Sequence, residues 1–501
     1  MRDGRDANSA RRAFIGLWLV LLVLKLALAA HLPLFVDEAF YWQEGRHLDW
    51  AYSDLPGLTA WLARLGDALA PGSLLALRLP FLLLAALIPW LLVRLGAREF
   101  DAWAGWWAGA LCLLLPLSGT LGLMALPDVP LLLASVLCLD AGLRMLRKVD
   151  AWAAGELALG LALGGLAHYR FAAVIVIGFA ALLALRDGRR ALRGPLPWLA
   201  IAIGAVAWAP LLLWNLQNAD AGLRFQLLDR HPWSFSAQGL RLGLLQLLPA
   251  TPLLLLAMAL AARAGLRDAR PASRYLALNG ALVLAAFLVL GFFADRQRVS
   301  FHWPLPGMVA LLPLVAMQLA GWRRGWRMAT LATTALGLAL ALGYLTMAAL
   351  PGLRLQASRG GVYPSNFAGW SALADAVRAR RGALPPGTRL LAGDFKIGAE
   401  LGFALGEPDI PVLAHPLNDK HGRAAQLQRW QLQRDSRAQL GGGAPLLLVA
   451  SPSHAGFDDP PAYLRRLQQQ LGPLPPPQVL EIDGGRKRFW LFVLDAPITA
   501  G

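Results

Sequence analysis

The chain has 501 residues, of which 57% are hydrophobic and only 16% are charged, and its formal net charge is +16. This composition, with uncharged runs such as FLLLAALIPWLLV, is typical of a polytopic membrane protein and excludes an ordinary soluble globule. The arginines lie in short loops between apolar runs, so the positive charge indicates membrane topology and not a nucleic-acid partner. Cys112 and Cys138 both lie inside apolar runs, which indicates buried, inert thiols.

Apolar runs long enough to cross a bilayer recur along the first two thirds of the chain. Eleven candidate spans are predicted at 13–30, 74–94, 102–119, 127–144, 152–167, 170–186, 195–213, 241–262, 275–293, 304–321 and 328–348. The first follows a basic segment, but no small-residue cleavage site occurs before HLPLFVDEAF. We therefore interpret it as an uncleaved membrane helix and not as a signal peptide.

The loops between these spans alternate in charge. With the N-terminus in the cytoplasm, every second loop is short and rich in arginine, as the positive-inside rule requires of cytoplasmic loops. The opposite set comprises 31–73, 120–126, 168–170, 214–240 and 294–303. These loops carry the acids, the aromatics and most of the histidines, so chemistry is expected on the outer face.

From residue 351 onward glycine, proline and polar residues increase, and no later run is long enough to span. Strand-like runs occur at TRLLAGD, APLLLVAS and PQVLEID, and DGGR separates the last from KRFWLFVLD as a hairpin turn would. SALADAVRARRGAL, KIGAELGFAL and PAYLRRLQQQLG have helical periodicity. The sequence therefore predicts two domains, a transmembrane domain over 1–350 and a soluble α/β domain over 351–501 on the outer, periplasmic side.

The first outer loop, 31–73, contains the segment LFVDEAFYWQEGRHLDWAYSDLPG. In the PGLTAWLARLGDALA segment that follows, leucines and Trp61 recur at helical spacing, which predicts an amphipathic helix in the plane of the membrane interface. Such a helix would hold Asp37 and Glu38 close to the lipid headgroups. A substrate carried on a lipid could reach them there.

Three acids at the outer edge have two interpretations. Asp37, Glu38 and Asp128 could simply cap helices, because acids favour the positive end of the helix dipole. Ionisable groups at membrane depth are costly and usually functional, however. Asp128, in LMALPDVPLLL, places a second carboxylate on the outer face, which favours a functional site.

The segment DEAFYWQEGRHLDWAYSDLPGLTAWLARLG resembles the first outer loop of the GT-C glycosyltransferases, in the protein mannosyltransferase-like branch that includes the lipid A aminoarabinose transferases. LPDVPLLL, WNLQNADAGLRFQLLDRH and FHWPLPG resemble further motifs of that branch, in the same order along the chain. The resemblance covers roughly residues 15 to 350. It implies a polytopic helical fold of the GT-C type with about eleven transmembrane helices.

The resemblance also implies the reaction. Members transfer a sugar from a polyprenyl-phosphate carrier to an acceptor hydroxyl, outside the cytoplasm and with inversion. Asp37 matches the position of the base that deprotonates the acceptor, Glu38 would orient it or bind the acceptor, and Asp128 matches the second acidic position.

The leaving lipid phosphate requires cations, since its charge enters a partly dry cavity. Candidate donor-binding residues lie in the outer turns and loops, and we expect Tyr169, Arg170, Arg224, Arg230, Arg296, Arg298 and His302 to contribute. Each could instead be a solvated or structural group.

The sequence departs from the family pattern at one place in the first outer loop. The family commonly has a basic residue or histidine followed by two prolines there. Leu55-Pro56-Gly57 occupies that place, so the acceptor is in doubt while the reaction class is not. No cofactor is firmly predicted. A divalent cation could be held loosely by Asp37, Glu38 and Asp128, although no His or Cys ligand spacing occurs.

We therefore expect a glycosyltransferase of the bacterial inner membrane that uses an undecaprenyl-phosphate-linked sugar and a lipid A, glycan or protein acceptor, with membrane lipids as further partners. A transporter or flippase of lipid-linked sugars is the alternative, although its charges should lie within spans and neither internal repeats nor broken helices are evident. A third alternative is an assembly or anchoring protein, which leaves the acidic loop unexplained.

Overall fold

The computed structural model describes residues 4–231, 233–293, 301–440, 444–454 and 459–494. The chain forms two compact units. The helical unit comprises Met1–Ala27, Leu55–Thr59 and Arg78–Tyr344, and the mixed unit comprises Leu28–Asp54, Ala60–Leu77 and Leu345–Gly501. Most of the first outer loop thus belongs to the same unit as the C-terminal residues.

Helices account for most of the chain up to residue 349. They are α1 (Gly4–His31), α2 (Val36–Arg46), α3 (Leu58–Leu69), α4 (Leu74–Glu99), α5 (Ala102–Leu114), α6 (Pro116–Gly119), α7 (Asp128–Arg147), α8 (Ala151–Ala167), α9 (Phe171–Ala184), α10 (Arg186–Ala191), α11 (Pro195–Ala207), α12 (Ala209–Gln217), α13 (Ala221–Arg224), α14 (Leu240–Leu245), α15 (Leu247–Ala250), α16 (Pro252–Arg267), α17 (Pro271–Leu290), α18 (Leu305–Ala320) and α19 (Arg324–Ala349). A π-helical turn at Phe225–Asp229 and a 3₁₀ turn at Ala237–Gly239 separate α13 from α14.

Each of the eleven predicted spans coincides with apolar helix, which confirms the polytopic helical class. Within the described residues, six helical segments are long and apolar enough to cross a membrane, and one of them consists of α11 and α12 together. A seventh candidate, Ala237–Ala250 with Pro252–Arg267, bends by 103°. Four further apolar helices are shorter, at 10–17 residues, so the count of eleven crossings stays a prediction.

Small residues allow close helix packing in the helical unit. A Cβ atom on Gly165 of α8 would lie 2.0 Å from the indole of Trp208, which follows α11. The same indole nitrogen donates a hydrogen bond to the carbonyl of Leu161 at 2.9 Å. Close approach at small residues is the usual way in which membrane helices associate, because lipid offers no hydrophobic driving force between them.

The remaining elements form the C-terminal part of the mixed unit. The helices are α20 (Pro351–Ala357), α21 (Trp370–Gly382), α22 (Phe395–Leu405), α23 (Pro416–Lys420), α24 (Ala424–Arg429) and α25 (Pro460–Leu471). The strands are β1 (Arg389–Ala392), β2 (Val412–Leu413), β3 (Gln433–Arg434), β4 (Leu446–Ala450), β5 (Gln478–Ile482) and β6 (Lys487–Leu494). Two 3₁₀ turns lie at Arg437–Leu440 and Pro452–His454.

These strands form one sheet in the order β3-β2-β1-β4-β6-β5. The first four run parallel, with Leu390 opposite Leu447, and β6 pairs antiparallel with both β4 and β5. All five residues of β4 are buried, as expected for a central strand covered on both faces. The predicted α/β fold and its closing hairpin are therefore confirmed, whereas β2 and β3 were not predicted because two residues carry no periodicity.

Helix α3 confirms the predicted amphipathic segment, and its apolar stripe faces away from the protein. Leu65 and Leu69 are 55% and 63% exposed, whereas Thr59, Ala60 and Ala63 on the other side are fully buried. An exposed apolar stripe of this kind fits a helix lying in a membrane interface. That location stays a prediction.

Helix α22 offers a test of the fold at its N-terminus. Asp394 is fully buried and its Oδ1 accepts hydrogen bonds from the backbone N–H groups of Lys396 and Ile397 at 2.9 and 3.2 Å. We expect Asp394→Ala to lower the free energy of unfolding by about 1–2 kcal/mol, because the two backbone N–H groups then lose their hydrogen-bond acceptor. Thermal unfolding of the purified chain measures this, with Asp375→Ala at an exposed position of α21 as the control. Equal stability of the two variants would refute the capping role.

Candidate active site

The acidic pair of the first outer loop lies in the first turn of α2, and its two members have different surroundings. The buried Glu38 Oε2 accepts a hydrogen bond from the backbone N–H of Phe35 at 2.9 Å, so this side chain caps the helix. The Asp37 side chain keeps 31% of its surface exposed. The capping interpretation therefore applies to Glu38, whereas the Asp37 carboxylate remains accessible.

Aromatic packing holds α2 within the mixed unit. Phe40 contacts Phe395 edge to face at 5.7 Å between ring centroids, and Trp42 contacts Phe403 in the same way at 5.5 Å. Every residue of α2 other than Asp37 and Arg46 is buried. The aromatic residues of DEAFYWQEGR thus serve packing, and the helix presents Asp37 from an otherwise buried surface.

A buried arginine from the C-terminal segment contacts three carboxylates of the first outer loop. The guanidinium of Arg423 lies 3.2 Å from Asp37 Oδ1, 2.9 Å from Asp54 Oδ2 and 3.9 Å from Glu44 Oε1. Its side chain is only 3% exposed and stacks over the ring of Phe40 at 4.1 Å. We call Asp37, Glu44, Asp54 and Arg423 the outer-loop cluster.

Backbone geometry around Arg423 fixes this contact. Gly422 has a φ of +72°, a conformation that side chains disfavour, and its carbonyl accepts a hydrogen bond from the hydroxyl of Ser53. The backbone N–H of Ser53 donates in turn to Oε1 of Gln426 at 3.0 Å. The turn that carries Arg423 is therefore anchored to the segment that carries Asp54.

Three carboxylates face one guanidinium, so the cluster cannot be fully ionised without excess negative charge. Burial, followed by the neighbouring Asp54, raises the pKa of Glu44 well above its ordinary value. Burial also raises the pKa of Asp54 against the opposing effect of Arg423. Burial alone would lower the pKa of Arg423, but the surrounding acids raise it overall, so this arginine stays charged.

The helical unit contains a second charged cluster. Asp128, in the first turn of α7, accepts a hydrogen bond from the guanidinium of Arg170 in the turn between α8 and α9. His302 Nε2 lies 3.9 Å from the same Asp128 oxygen. The structure therefore brings together three residues that the sequence predicted for the site, and we call them the Asp128 cluster.

The buried His168 lies beside the Asp128 cluster, and its pKa responds to the positive charge there. Its Nδ1 accepts a hydrogen bond from the backbone N–H of Arg170 at 3.1 Å. Burial lowers the pKa of His168 well below its usual value, and the charges of Arg170, Arg230 and His302 lower it further. Positive charge is thus gathered around a histidine that stays neutral.

The other predicted donor-binding residues lie in several environments. The hydroxyl of Tyr169 accepts a hydrogen bond from Asn215 Nδ2 at 2.9 Å, and the guanidinium of Arg230 lies over the Trp303 ring at 5.1 Å. Arg224 is exposed and contacts Asp229 at 3.4 Å. The predicted residues Arg296 and Arg298 lie outside the described residues.

Within the described ranges, no group of three or more His, Cys, Asp or Glu side chains is arranged to hold a metal ion. Glu38 uses one carboxylate oxygen as a helix cap, which leaves it poorly suited as a ligand. A divalent cation on Asp37, Glu38 and Asp128 stays a prediction.

The chain is similar to known proteins in part of its sequence and in its fold. Residues 54–214 match the sequence model of the family described as dolichyl-phosphate-mannose-protein mannosyltransferase. No curated relative matches the chain significantly. Over 96% of its length the chain superposes on 97% of ArnT from Cupriavidus metallidurans, with a TM-score of 0.67 at 17% identity for the structure bound to undecaprenyl phosphate. The apo structure of the same protein gives 0.68 at 15% identity over the same shares of both chains.

The matched segment begins at Asp54 and includes Asp128 and Arg170. The chain therefore has the ArnT fold, and residues 54–214 match a family of glycosyltransferases. The predicted resemblance to the protein mannosyltransferase-like branch is confirmed.

Sequence reasoning missed three residues of the outer-loop cluster and one residue beside the Asp128 cluster. Glu44 and Asp54 stand inside the quoted loop motif but were not distinguished from other acids, and His168 was passed over in the HYR turn. Arg423 had no local signal, since it lies 386 residues from Asp37 in a segment with no recognisable motif.

The raised pKa of Glu44 predicts a dependence of stability on pH. The folded protein retains a proton that the unfolded chain releases above its ordinary pKa of 4.5, so the free energy of unfolding falls as the pH rises past that value. We expect Glu44→Gln, which stays neutral, to show a smaller fall in thermal midpoint between about pH 5 and pH 8 than the native protein.

The control is Glu407→Gln, because Glu407 forms a half-exposed ion pair with Arg381 at 2.6 Å. This variant should keep the native slope of midpoint against pH. An unchanged slope in Glu44→Gln would mean that Glu44 is ionised in the folded protein.

Proposed function

We propose that the protein transfers a sugar from an undecaprenyl-phosphate or similar polyprenyl-phosphate carrier to an acceptor hydroxyl, with Asp37 as the base. The observation that carries this proposal is the accessible Asp37 carboxylate on an otherwise buried helix. Helix α2 belongs to the loop on which the family resemblance rests. A carboxylate held in this way is suited to accept a proton during the chemical step.

In the proposed reaction, Asp37 removes the proton from the acceptor hydroxyl while the acceptor oxygen attacks the anomeric carbon of the donor sugar. The bond between that carbon and the carrier phosphate oxygen breaks, and the electron pair leaves with the lipid phosphate. Attack opposite the leaving group inverts the anomeric configuration. Glu38 would support Asp37 indirectly, by fixing the first turn of α2.

The donor phosphate requires cations, and the Asp128 cluster supports this part of the proposal. ArnT, whose fold this chain shares, has been crystallised with undecaprenyl phosphate. Arg170, Arg230 and His302 supply positive charge, and Tyr169 supplies a hydroxyl in the same turn as Arg170. Asp128 orients Arg170 through their ion pair, while roles for Arg224, Arg296 and Arg298 stay predictions.

We further propose that the reaction takes place at the outer face of a bacterial inner membrane, with the N-terminus in the cytoplasm and residues 351–501 in the periplasm. The arginine-rich loops support this orientation through the positive-inside rule. The exposed apolar stripe of α3 supports an approach of substrates from the lipid phase. A lipid A, glycan or protein acceptor fits this location.

The base assignment predicts that Asp37→Asn abolishes transfer, because an amide cannot take the acceptor proton. We expect a loss of about 10²–10⁴-fold, the usual contribution of a positioned base. Mass spectrometry of lipid A, surface glycans and exported proteins from cells with and without the protein identifies the sugar increment. The amount of this sugar increment in cells that carry the variant then measures its transfer activity.

Asp49→Asn is the matched control, since Asp49 lies in the same loop and contacts Arg429 at 3.2 Å. It should keep native transfer. A fully active Asp37→Asn would overturn the base assignment, and purified protein that performs no covalent transfer would instead support a transporter.

The donor-binding proposal predicts that Arg170→Gln weakens binding of undecaprenyl phosphate. A charge-assisted contact to phosphate contributes about 1.5–3 kcal/mol, so the Kd should rise roughly ten- to a hundred-fold. The Kd is measured with undecaprenyl phosphate and the purified variant in detergent. Arg190→Gln, which removes an exposed arginine paired with Asp187, should leave the Kd unchanged. Native affinity in Arg170→Gln would remove this residue from the donor site.

A further inference from the structure

The outer-loop cluster contains an arginine whose burial is costly. Arg423 is 3% exposed, and a guanidinium taken out of water is tolerated only when carboxylates and hydrogen bonds replace its hydration. Asp54 at 2.9 Å and Glu44 at 3.9 Å already provide partners. The third contact, to the accessible Asp37, therefore calls for an explanation beyond stability.

The guanidinium has little freedom to move. Its plane is stacked over Phe40 at 4.1 Å, and the rings of Tyr41 and Phe395 lie 5.2 and 5.5 Å away. The turn behind it is anchored through Gly422 and Ser53. A rigid, stacked fork can fix the direction of a carboxylate in a way that a flexible lysine cannot.

The contact involves one side of the Asp37 carboxylate. The terminal nitrogen of Arg423 donates to Oδ1 at 3.2 Å, and Oδ2 is not part of this bond. Holding one oxygen sets the rotation of the carboxylate about its Cβ–Cγ bond. An orientation error of even 10–20° matters in a proton transfer, so support of this kind has catalytic value.

We propose that Arg423 is a positioning residue for Asp37, and that the C-terminal segment thereby takes part in sugar transfer. This inference rests on the proposed function, in which Asp37 is the base. Asp54 has a distinct task in it, because its carboxylate balances the buried guanidinium, and Glu44 at 3.9 Å helps to keep that guanidinium pointed at Asp37. No acceptor or donor contact is required of Arg423.

The test compares Arg423→Lys with Arg429→Lys. Arg429 also connects the C-terminal segment to the first outer loop, through Asp49 at 3.2 Å, but its side chain is 43% exposed and it does not contact Asp37. We expect Arg423→Lys to lower the rate of sugar transfer at least ten-fold while the Kd for undecaprenyl phosphate stays within about two-fold of native. Arg429→Lys should leave both unchanged.

Loss of folding must be separated from loss of positioning. The triple variant Glu44→Gln, Asp54→Asn, Arg423→Met removes the cation together with the two buried acids beside it, so no buried charge is left unpaired. We expect this variant to keep its thermal midpoint and its affinity for undecaprenyl phosphate, and to transfer sugar at least ten-fold more slowly than native.

Native transfer rates in the triple variant, or in a folded Arg423→Lys, would overturn the inference. If Asp37→Asn is inactive while these variants are active, the base assignment survives and only the role of Arg423 is lost. If Asp37→Asn is itself active, the proposed function fails first.

Discussion

The cost of removing charge from water shapes both clusters of this protein. A buried ion is tolerated when a partner and hydrogen bonds replace its hydration, and breaking such a pair leaves an uncompensated charge. Arg423 meets this requirement with carboxylates from α2 and from the segment that ends at Asp54. Because these partners are far apart in the chain, neutralising one guanidinium also determines which segments of the mixed unit must fold together.

The same constraint changes how the Asp128 cluster is understood. From the sequence, Asp128 was predicted as a second catalytic acid and Arg170 as a phosphate ligand, with independent roles. The structure joins them in one ion pair, so Arg170 has much of its charge balanced before any ligand binds. Arg230 adds further positive charge close by. This ion pair fixes the direction of the Arg170 guanidinium.

Features with a local signal could be predicted, and features made by distant residues could not. The apolar runs, the α3 helix and strands β1, β4, β5 and β6 follow from periodicity over many residues. Asp37 was found because it lies in a recognisable motif. The Arg423 contact spans 386 residues, and the short strands β2 and β3 form only because β1 provides a sheet edge, so neither leaves a pattern in the sequence.

Domain organisation shows the same limit. Composition changes sharply near residue 351, which predicts a boundary there. Compactness instead groups Leu28–Asp54 and Ala60–Leu77 with Leu345–Gly501, because the aromatic face of α2 is buried against helix α22. Amino-acid composition indicates whether a segment prefers lipid or water. The grouping into compact units indicates instead which segments pack together. The segment Leu28–Asp54 precedes the change in composition, yet it packs with the residues that follow that change.

Departure from the family pattern at Leu55-Pro56-Gly57 can be reconsidered on this basis. Leu55 is 3% exposed, so the side chain at this position is buried and no cation is supplied there. The neighbouring Asp54 nevertheless has a cation, since Arg423 lies 2.9 Å from its carboxylate. Arg423 therefore balances the charge of Asp54, and the buried Leu55 takes no part in that balance.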